Sequence, residues 1–182
     1  MRRVILSAPV LPSSALAELK QWLGITTTHD DAPLAALLAA ALETFEAFAG
    51  QLPLEATCEE ILPASAAWQA LATRPVQAIT MIEAVFDDGT RSSLAPDAYA
   101  IELCADGTGR VRLASSTTPG RIAVRFDAGL AADWDALPDG LRHGLVRLAA
   151  HQHRERESAG AGALPPASVA ALWRPWRRLR LA

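Results

Sequence analysis

Histidine and cysteine are the side chains considered first, because both could hold a metal ion such as zinc. His151 and His153 lie two residues apart in a predicted helix, where their side chains diverge by about 200°. They cannot converge on one ion without breaking that helix, and zinc sites need convergent ligands. Cys58 and Cys104 lack any metal-ligand spacing, so we expect two free thiols. The sequence therefore predicts no metal site.

Acidic side chains occur beside glycine and in pairs, but in patterns that indicate structure. Asp88-Gly89 and Asp106-Gly107 lack the spaced oxygen ligands and closing glutamate of a calcium-binding loop, and turn chemistry explains both. The pair Glu59-Glu60 lies on a presumed strand with no neighbour that would raise a carboxyl pKa. No glycine-rich loop ends in Gly-Lys-Ser or Gly-Lys-Thr. We predict no catalytic and no cofactor-binding residue, and hence a protein that is not an enzyme.

The C-terminal tract has a composition suited to contact with a partner. Tryptophan and arginine are the residues most enriched at interface hot spots, and they recur here among leucines. Three interpretations stay open: Trp173 packs on the chain's own third helix and the arginines are solvated, the tract docks on a protein, or it contacts nucleic acid. For the docking hypothesis the residues are Leu172, Trp173, Arg174, Trp176, Arg177, Arg178, Leu179 and Arg180.

Apolar residues at helical spacing predict three long helices and a short one. The first two occupy residues 13–50, with Ser13 or Ser14 capping the first helix. The third occupies residues 138–157, with Leu141, Leu145, Leu148 and Ala149 buried and Gly144 allowing close packing. Residues 165–182 hold a short helix and a basic tail.

Between residues 54 and 130 the helical spacing disappears and short runs bounded by Gly, Asp and Pro replace it. Asp88-Gly89 and Asp106-Gly107 predict hairpin turns, and residues 121–126 alternate with Ile122, Val124 and Phe126 facing inward. We expect five or six short antiparallel strands. The predicted class is α+β: one domain over residues 1–182, a small helical bundle with an inserted antiparallel β subdomain.

Composition narrows the classes of protein further. No run of about eighteen apolar residues occurs, so we expect no membrane-spanning helix and no membrane partner. Val4-Ile5-Leu6 after two arginines resembles the start of a signal peptide, but prolines interrupt the stretch and we expect a cytoplasmic product.

The charge of the chain is divided unevenly along its length. Residues 1–137 hold 9 basic and 17 acidic residues, whereas residues 138–182 hold 8 basic and 3 acidic. The two ends are therefore expected to meet different surroundings.

Taken in order, these parts resemble the head–tail connector (head-completion adaptor) family of tailed bacteriophages and gene transfer agents. Each stretch is a packing motif of low specificity, and the order across nearly the whole chain carries the resemblance. The sequence departs from the family at His153, which stands where the family has an aromatic residue. The stretches are Leu16–Ile25, Asp30–Leu34, Ala40–Gly50, Arg74–Ile82, Phe126–Leu130, Leu137–Leu145 and Ala149–Glu157.

The resemblance implies a structural adaptor. It implies a homo-oligomeric ring of twelve subunits, seated on a portal protein and followed by a stopper or tail-completion protein. Double-stranded DNA would pass through its central channel, and the C-terminal segment would reach the portal. After assembly in the cytoplasm the ring would lie at the head–tail interface of the particle. The alternative function is a nucleic-acid-binding module that uses the basic C-terminal third.

Overall fold

The chain forms two compact units, one rich in β-strands and one helical. A computed structural model describes residues 3–115, 120–155 and 165–177. The β unit comprises Met1–Pro9 and Glu55–Leu130, and the helical unit comprises Val10–Leu54 and Ala131–Ala182. In these described ranges, four α-helices and two antiparallel sheets confirm the predicted α+β class.

The elements of the β unit are eight strands among the described residues. In chain order they are β1 Arg3–Ser7, β2 Ala56–Pro63, β3 Gln69–Ala70, β4 Val76–Val85, β5 Arg91–Ser93, β6 Tyr99–Leu103, β7 Gly109–Leu113 and β8 Arg121–Ala128. A five-stranded sheet has the order β1-β2-β8-β4-β5, and a three-stranded sheet has the order β3-β7-β6. In the described part of residues 54–130 there are thus seven strands, where about five or six were expected.

The central strand β8 anchors the larger sheet. It pairs along its length with both β2 and β4, so neighbours cover its two edges. Ile122, Val124 and Phe126 are fully buried, which confirms the inward face predicted from their alternation. Burial of such side chains, at about 25 cal/mol per Å² of apolar surface, is the main stabilising contribution to this unit.

Both Asp-Gly steps form the hairpin turns that the sequence predicts. Gly89 lies between β4 and β5 and Gly107 between β6 and β7, with φ of 85° and 76°. These positive angles are strained for residues with a Cβ atom. The side chain of Asp88 accepts hydrogen bonds from the Thr90 amide and hydroxyl, at 2.9 and 2.6 Å. The acidic residue thus holds the turn.

The first strand was not predicted. Val4-Ile5-Leu6 was compared with a signal peptide, whereas Arg3–Ser7 pairs antiparallel with β2 and places Ile5 opposite Cys58. The pairing joins residues fifty or more positions apart, and a short apolar run such as Val4-Ile5-Leu6 does not reveal such a partner.

In the helical unit the helices are α1 Ser13–Leu23, α2 Asp31–Ala49, α3 Asp139–Glu155 and α4 Ala167–Trp173. The predicted face of α3 is confirmed, since Leu141, Leu145, Leu148 and Ala149 are all buried. The predicted end of α3 at residue 157 lies outside the described residues. The expected serine cap of α1 is wrong: Pro12 is the N-cap, and the Ser14 hydroxyl instead donates to Asp135.

The helix α2 is long and apolar enough to cross a membrane, with a mean hydropathy of 1.4. This differs from the sequence-based expectation of no membrane-spanning helix, which rested on the absence of an unbroken run of about eighteen apolar residues. This observation is weak, because the core helix of a soluble protein meets the same criteria. Leu34, Leu38, Ala41 and Phe45 form a buried stripe along the helix. Their spacing is that of an amphipathic helix that packs against other helices.

The adjacent carboxylates of β2 serve the β unit in different ways. Glu60 is fully buried and accepts hydrogen bonds from the Ala72 amide at 2.9 Å and from the Thr73 amide and hydroxyl at 2.9 and 2.7 Å. These contacts fix the chain that leads into β4. Glu60 is therefore a structural acceptor whose removal would leave buried donors unpaired.

On the other face of the sheet, Glu59 receives a two-pronged ion pair from Arg91 of β5, at 2.8 and 2.9 Å. Arg125 of β8 lies 3.8 Å from the same carboxylate. The hydrogen bond from Arg91 holds the pKa of Glu59 below its ordinary value, and the positive charges of Arg91 and Arg125 act in the same direction. The pair links strands β2 and β5 across the sheet.

We predict that Glu60→Ala destabilises the protein by about 2–5 kcal/mol, since each buried unpaired amide costs about 1–3 kcal/mol. The matched control is Glu102→Ala, in which an exposed pair with Arg110 at 3.6 Å is lost. That control should cost less than about 1 kcal/mol. Urea denaturation followed by circular dichroism measures both, and equal effects would contradict the role given to Glu60.

The pair formed by Glu59 predicts a pH-dependent stability. A carboxyl whose folded pKa is depressed contributes stability above its unfolded pKa, and that contribution is lost as pH falls through the folded pKa. The loss of stability caused by Arg91→Ala should therefore be larger at neutral pH than at about pH 3, because about pH 3 lies below the ordinary glutamate pKa and the carboxyl is then largely protonated in the unfolded chain. Arg110→Ala, which removes the exposed pair with Glu102, serves as the control. A destabilisation by Arg91→Ala that is equal at both pH values would refute the ion-pair explanation.

Candidate docking site at the C-terminal segment

The C-terminal segment begins with a short helix whose limits proline residues set. Pro166 is the N-cap of α4, and Pro175 follows two residues after its last residue, Trp173. Residues Arg174–Trp176 form a single 3-10 turn. Val169 and Trp173, four residues apart and hence on one face, are both buried. The segment is thus held through its own apolar face.

Trp173 is fully buried and occupies the space left by a glycine of α3. A Cβ atom built on Gly144 would lie 2.3 Å from Trp173 Nε1. The indole N–H donates to the Leu141 carbonyl oxygen at 3.3 Å. Its ring meets Phe45 of α2 edge-on, at 5.2 Å between centroids and 87° between planes. The close packing predicted for Gly144 is therefore made with Trp173.

The residues after Trp173 lie along the surface of the helical unit. The side-chain amide of Gln51 donates to the Trp176 carbonyl oxygen, and Trp176 is half-buried. The Arg177 guanidinium lies over the Phe48 ring at 5.2 Å from its centroid, which is a cation–π geometry. Arg174 and Arg177 are exposed. The segment is thus held in place through residue 177 while both arginines stay exposed to solvent.

The structure separates the residues of the docking hypothesis into groups. Trp173 packs on the third helix, as one of the three interpretations of the tract had it. Arg174, Trp176 and Arg177 lie together at the surface, and Leu172 is half-buried. Arg178, Leu179 and Arg180 lie outside the described residues. Contact with a partner is accordingly available to Arg174, Trp176 and Arg177, whereas Trp173 positions them.

The histidines of α3 contact other side chains of the helical unit. His151 Nε2 lies 2.9 Å from a carboxylate oxygen of Glu155, one helical turn away. The ring of His143 meets Trp22 edge-on at 5.2 Å between centroids. Trp22 is 45% exposed, although it lies one helical turn after the fully buried Leu19. In the ranges that the structure describes, no group of three His, Cys, Asp or Glu side chains could hold a metal ion.

A basic cleft in the helical unit was missed at the level of sequence. Arg147, His151 and Arg154 follow one another at intervals of four and three residues, so they share one face of α3. Together with Trp22 they line a cavity of about 170 Å³. The spacing of these residues is the signal that could have revealed the cleft. Part of the excess positive charge of residues 138–182 therefore lies in this cleft.

Solved structures with the same fold come from gene transfer agent particles. A chain in a structure described as the neck of an empty gene transfer agent (GTA) particle, computed with C6 symmetry, matches with a TM-score of 0.80 and 26% identity, over 100% of this chain and 98% of that one. A chain from the virion of a native particle matches with a TM-score of 0.79 at 26% identity, over the same shares.

A third chain comes from the neck of a native particle computed with C12 symmetry. It matches with a TM-score of 0.72 and 26% identity, over 98% of this chain and 97% of that one. No protein-family model and no curated protein sequence matches the chain. The fold is thus that of structural components of the particle neck and virion, which supports a head–tail neck protein.

The position of Trp173 over Gly144 predicts a strong effect of a single methyl group. Gly144→Ala should destabilise the protein by about 1–3 kcal/mol, the usual cost of overpacking a core. In the matched control Gly140→Ala, the added Cβ would lie 3.5 Å from Trp176 and would make ordinary contact. Because alanine favours helix over glycine by up to about 1 kcal/mol, that variant should be neutral or stabilised.

Urea denaturation of both variants measures the difference, and tryptophan fluorescence reports the indole environment. Equal stabilities of Gly144→Ala and Gly140→Ala would contradict the packing of Trp173 against α3.

Proposed function

We propose that this chain is a structural head–tail adaptor subunit that forms a ring between the portal and the stopper or tail of a phage or gene transfer agent particle. Double-stranded DNA passes through the central channel of that ring. The observation that carries the proposal is the match of the whole chain, at a TM-score of 0.80, to a chain from a gene transfer agent neck. In this proposal residues 1–182 act as one adaptor domain without turnover of a substrate.

A homo-oligomeric ring is supported by the symmetry of the neighbours. The necks that contain similar chains were computed with C6 and C12 symmetry. Twelve copies of one chain satisfy both symmetries, because a twelvefold ring also has sixfold symmetry. We therefore propose a ring of twelve subunits, assembled in the cytoplasm and then located at the head–tail interface.

The C-terminal segment is the proposed contact with the portal. It presents two exposed arginines, Arg174 and Arg177, next to the half-buried Trp176 in the chain. Arginine can form two parallel hydrogen bonds to a carboxylate, and its contacts are enriched among hot spots. An acidic surface on the portal would fit this segment. Residues Arg178, Leu179 and Arg180 would extend the same contact.

The tail experiment needs a deletion that spares the core. Removing the chain from Leu172 onward would also remove the buried Trp173, so loss of docking could not be separated from loss of folding. Ending the chain after Arg177 removes Arg178–Ala182 and keeps every contact described for the segment. A second variant, Arg174→Ser, changes one exposed charge at the surface. Arg154→Ser on α3 is the matched control, with the same change in charge at another exposed position.

Both tail variants are expected to form rings like the wild type. Their affinity for the portal should fall by about tenfold or more, which is the usual effect of truncating a hot-spot residue. Arg154→Ser should bind like the wild type. Negative-stain electron microscopy measures the rings, and pull-down by the particle's purified portal ring measures binding. Full binding by the shortened chain and Arg174→Ser would contradict the docking segment.

Failure of the wild-type chain to form rings, alone and with the portal, would contradict the adaptor function itself. Tight binding of duplex DNA that weakens steeply between low and high salt would favour the alternative, a nucleic-acid-binding module.

A further inference from the structure

The free edges of the two sheets differ in the way they are protected. Among the described residues the outer strands are β1 and β5 in one sheet and β3 and β6 in the other. The strands β5 (Arg91–Ser93) and β3 (Gln69–Ala70) have three and two residues and are mainly polar. Short, polar edges are the usual means by which a sheet avoids pairing with another chain.

The other two edges are longer and carry more apolar side chains. The strands β1 and β6 have five residues each, and among the described residues β1 pairs with β2 and β6 with β7. In β1 the exposed fractions of Val4, Ile5 and Leu6 are 51%, 41% and 46%. In β6 those of Ile101 and Leu103 are 45% and 49%. Each strand also has an isoleucine at its centre.

Exposed apolar residues on an unpaired edge favour association with another strand. The side chains lose contact with water, and backbone N–H and C=O groups along the edge can pair with those of the added strand. Both strands belong to the same compact unit of the chain, the β unit. One copy of the chain therefore carries two different adhesive edges.

We propose that β1 of one subunit pairs with β6 of the next and that this strand contact closes the ring. The inference rests on the proposed adaptor function, since the occupant of each edge is a second copy of this chain. A cyclic ring needs a heterologous contact, in which one patch of a subunit meets a different patch of its neighbour. Two edges of equal length and similar apolar character meet that requirement.

Pairing of β1 with β1, or of β6 with β6, would instead relate two subunits by a twofold axis. Such a contact closes after two copies and cannot by itself build a cyclic ring. The C6 and C12 symmetry of the similar necks thus favours the heterologous pair over either self-pair.

Cysteines at the centres of the two strands test the proposal directly. The exposed Ile5 and Ile101 are changed to cysteine, separately and together, in a Cys58→Ala, Cys104→Ser background. Cys58 is removed because it lies directly opposite Ile5 in the neighbouring strand, where the two thiols could react within one subunit. The purified full-length proteins are treated with a short bismaleimide and separated on a denaturing gel.

The chain with both cysteines should give a ladder of covalent species that extends to the size of the ring. Each single variant should stay monomeric, and a mixture of the two single variants should give covalent dimers and nothing larger. Dimers from one single variant alone would indicate a self-pair and overturn the proposal. Absence of cross-links in a sample that forms rings by electron microscopy would also overturn it, with the adaptor function left standing.

A charged residue placed on either edge strand tests the contribution of that strand to ring formation independently of cross-linking. Ile5→Lys and Ile101→Lys should each reduce the ring fraction in analytical ultracentrifugation by at least tenfold, while the circular dichroism spectrum is retained. Val10→Lys is the control, because Val10 is 90% exposed and lies outside both strands. Rings that survive both edge substitutions would overturn the strand contact. A wild-type chain without rings would instead refute the proposed function.

Discussion

The packing of Trp173 over Gly144 is the contact on which the C-terminal half of the helical unit depends. The indole fills space that any other residue at position 144 would occupy, and its N–H finds the Leu141 carbonyl oxygen. A buried indole without that acceptor would lose a hydrogen bond it makes in water. Because α4 is only seven residues long, it has little stability of its own and relies on this contact. The position of Arg174, Trp176 and Arg177 follows from it.

Sequence predicted the features that depend on local chemistry. The Asp-Gly steps gave both hairpin turns, because a positive φ is a property of the turn itself. The apolar spacing of α3 gave its buried face, because helical periodicity sorts residues without reference to the partner. Glycine at position 144 indicated close packing, although only the structure identifies the side chain that fills the space.

What sequence could not decide depends on contacts between distant residues. Tryptophan is frequent both in cores and at interfaces, so composition could not separate Trp173 from Trp176. The strand β1 was missed because its partner is distant in the chain and its side chains are exposed. The basic cleft on α3 required knowing that Trp22 lies at the surface beside it. Glu60 resembled any other strand carboxylate until its three donors were located.

The two proposed contacts use different physical means, and the difference suits their tasks. Backbone pairing between strand edges uses hydrogen-bonding groups common to nearly all residues, apolar side chains strengthen it, and identical subunits can repeat it around a ring. Contact with a portal is made with another protein, where specificity needs side chains that discriminate between partners. Arginine and tryptophan provide that discrimination, because guanidinium groups pair in fixed directions and an indole ring needs a pocket of its shape. The edges lie on the β unit and the arginine segment on the helical unit, so a substitution in one contact can be compared with an intact copy of the other.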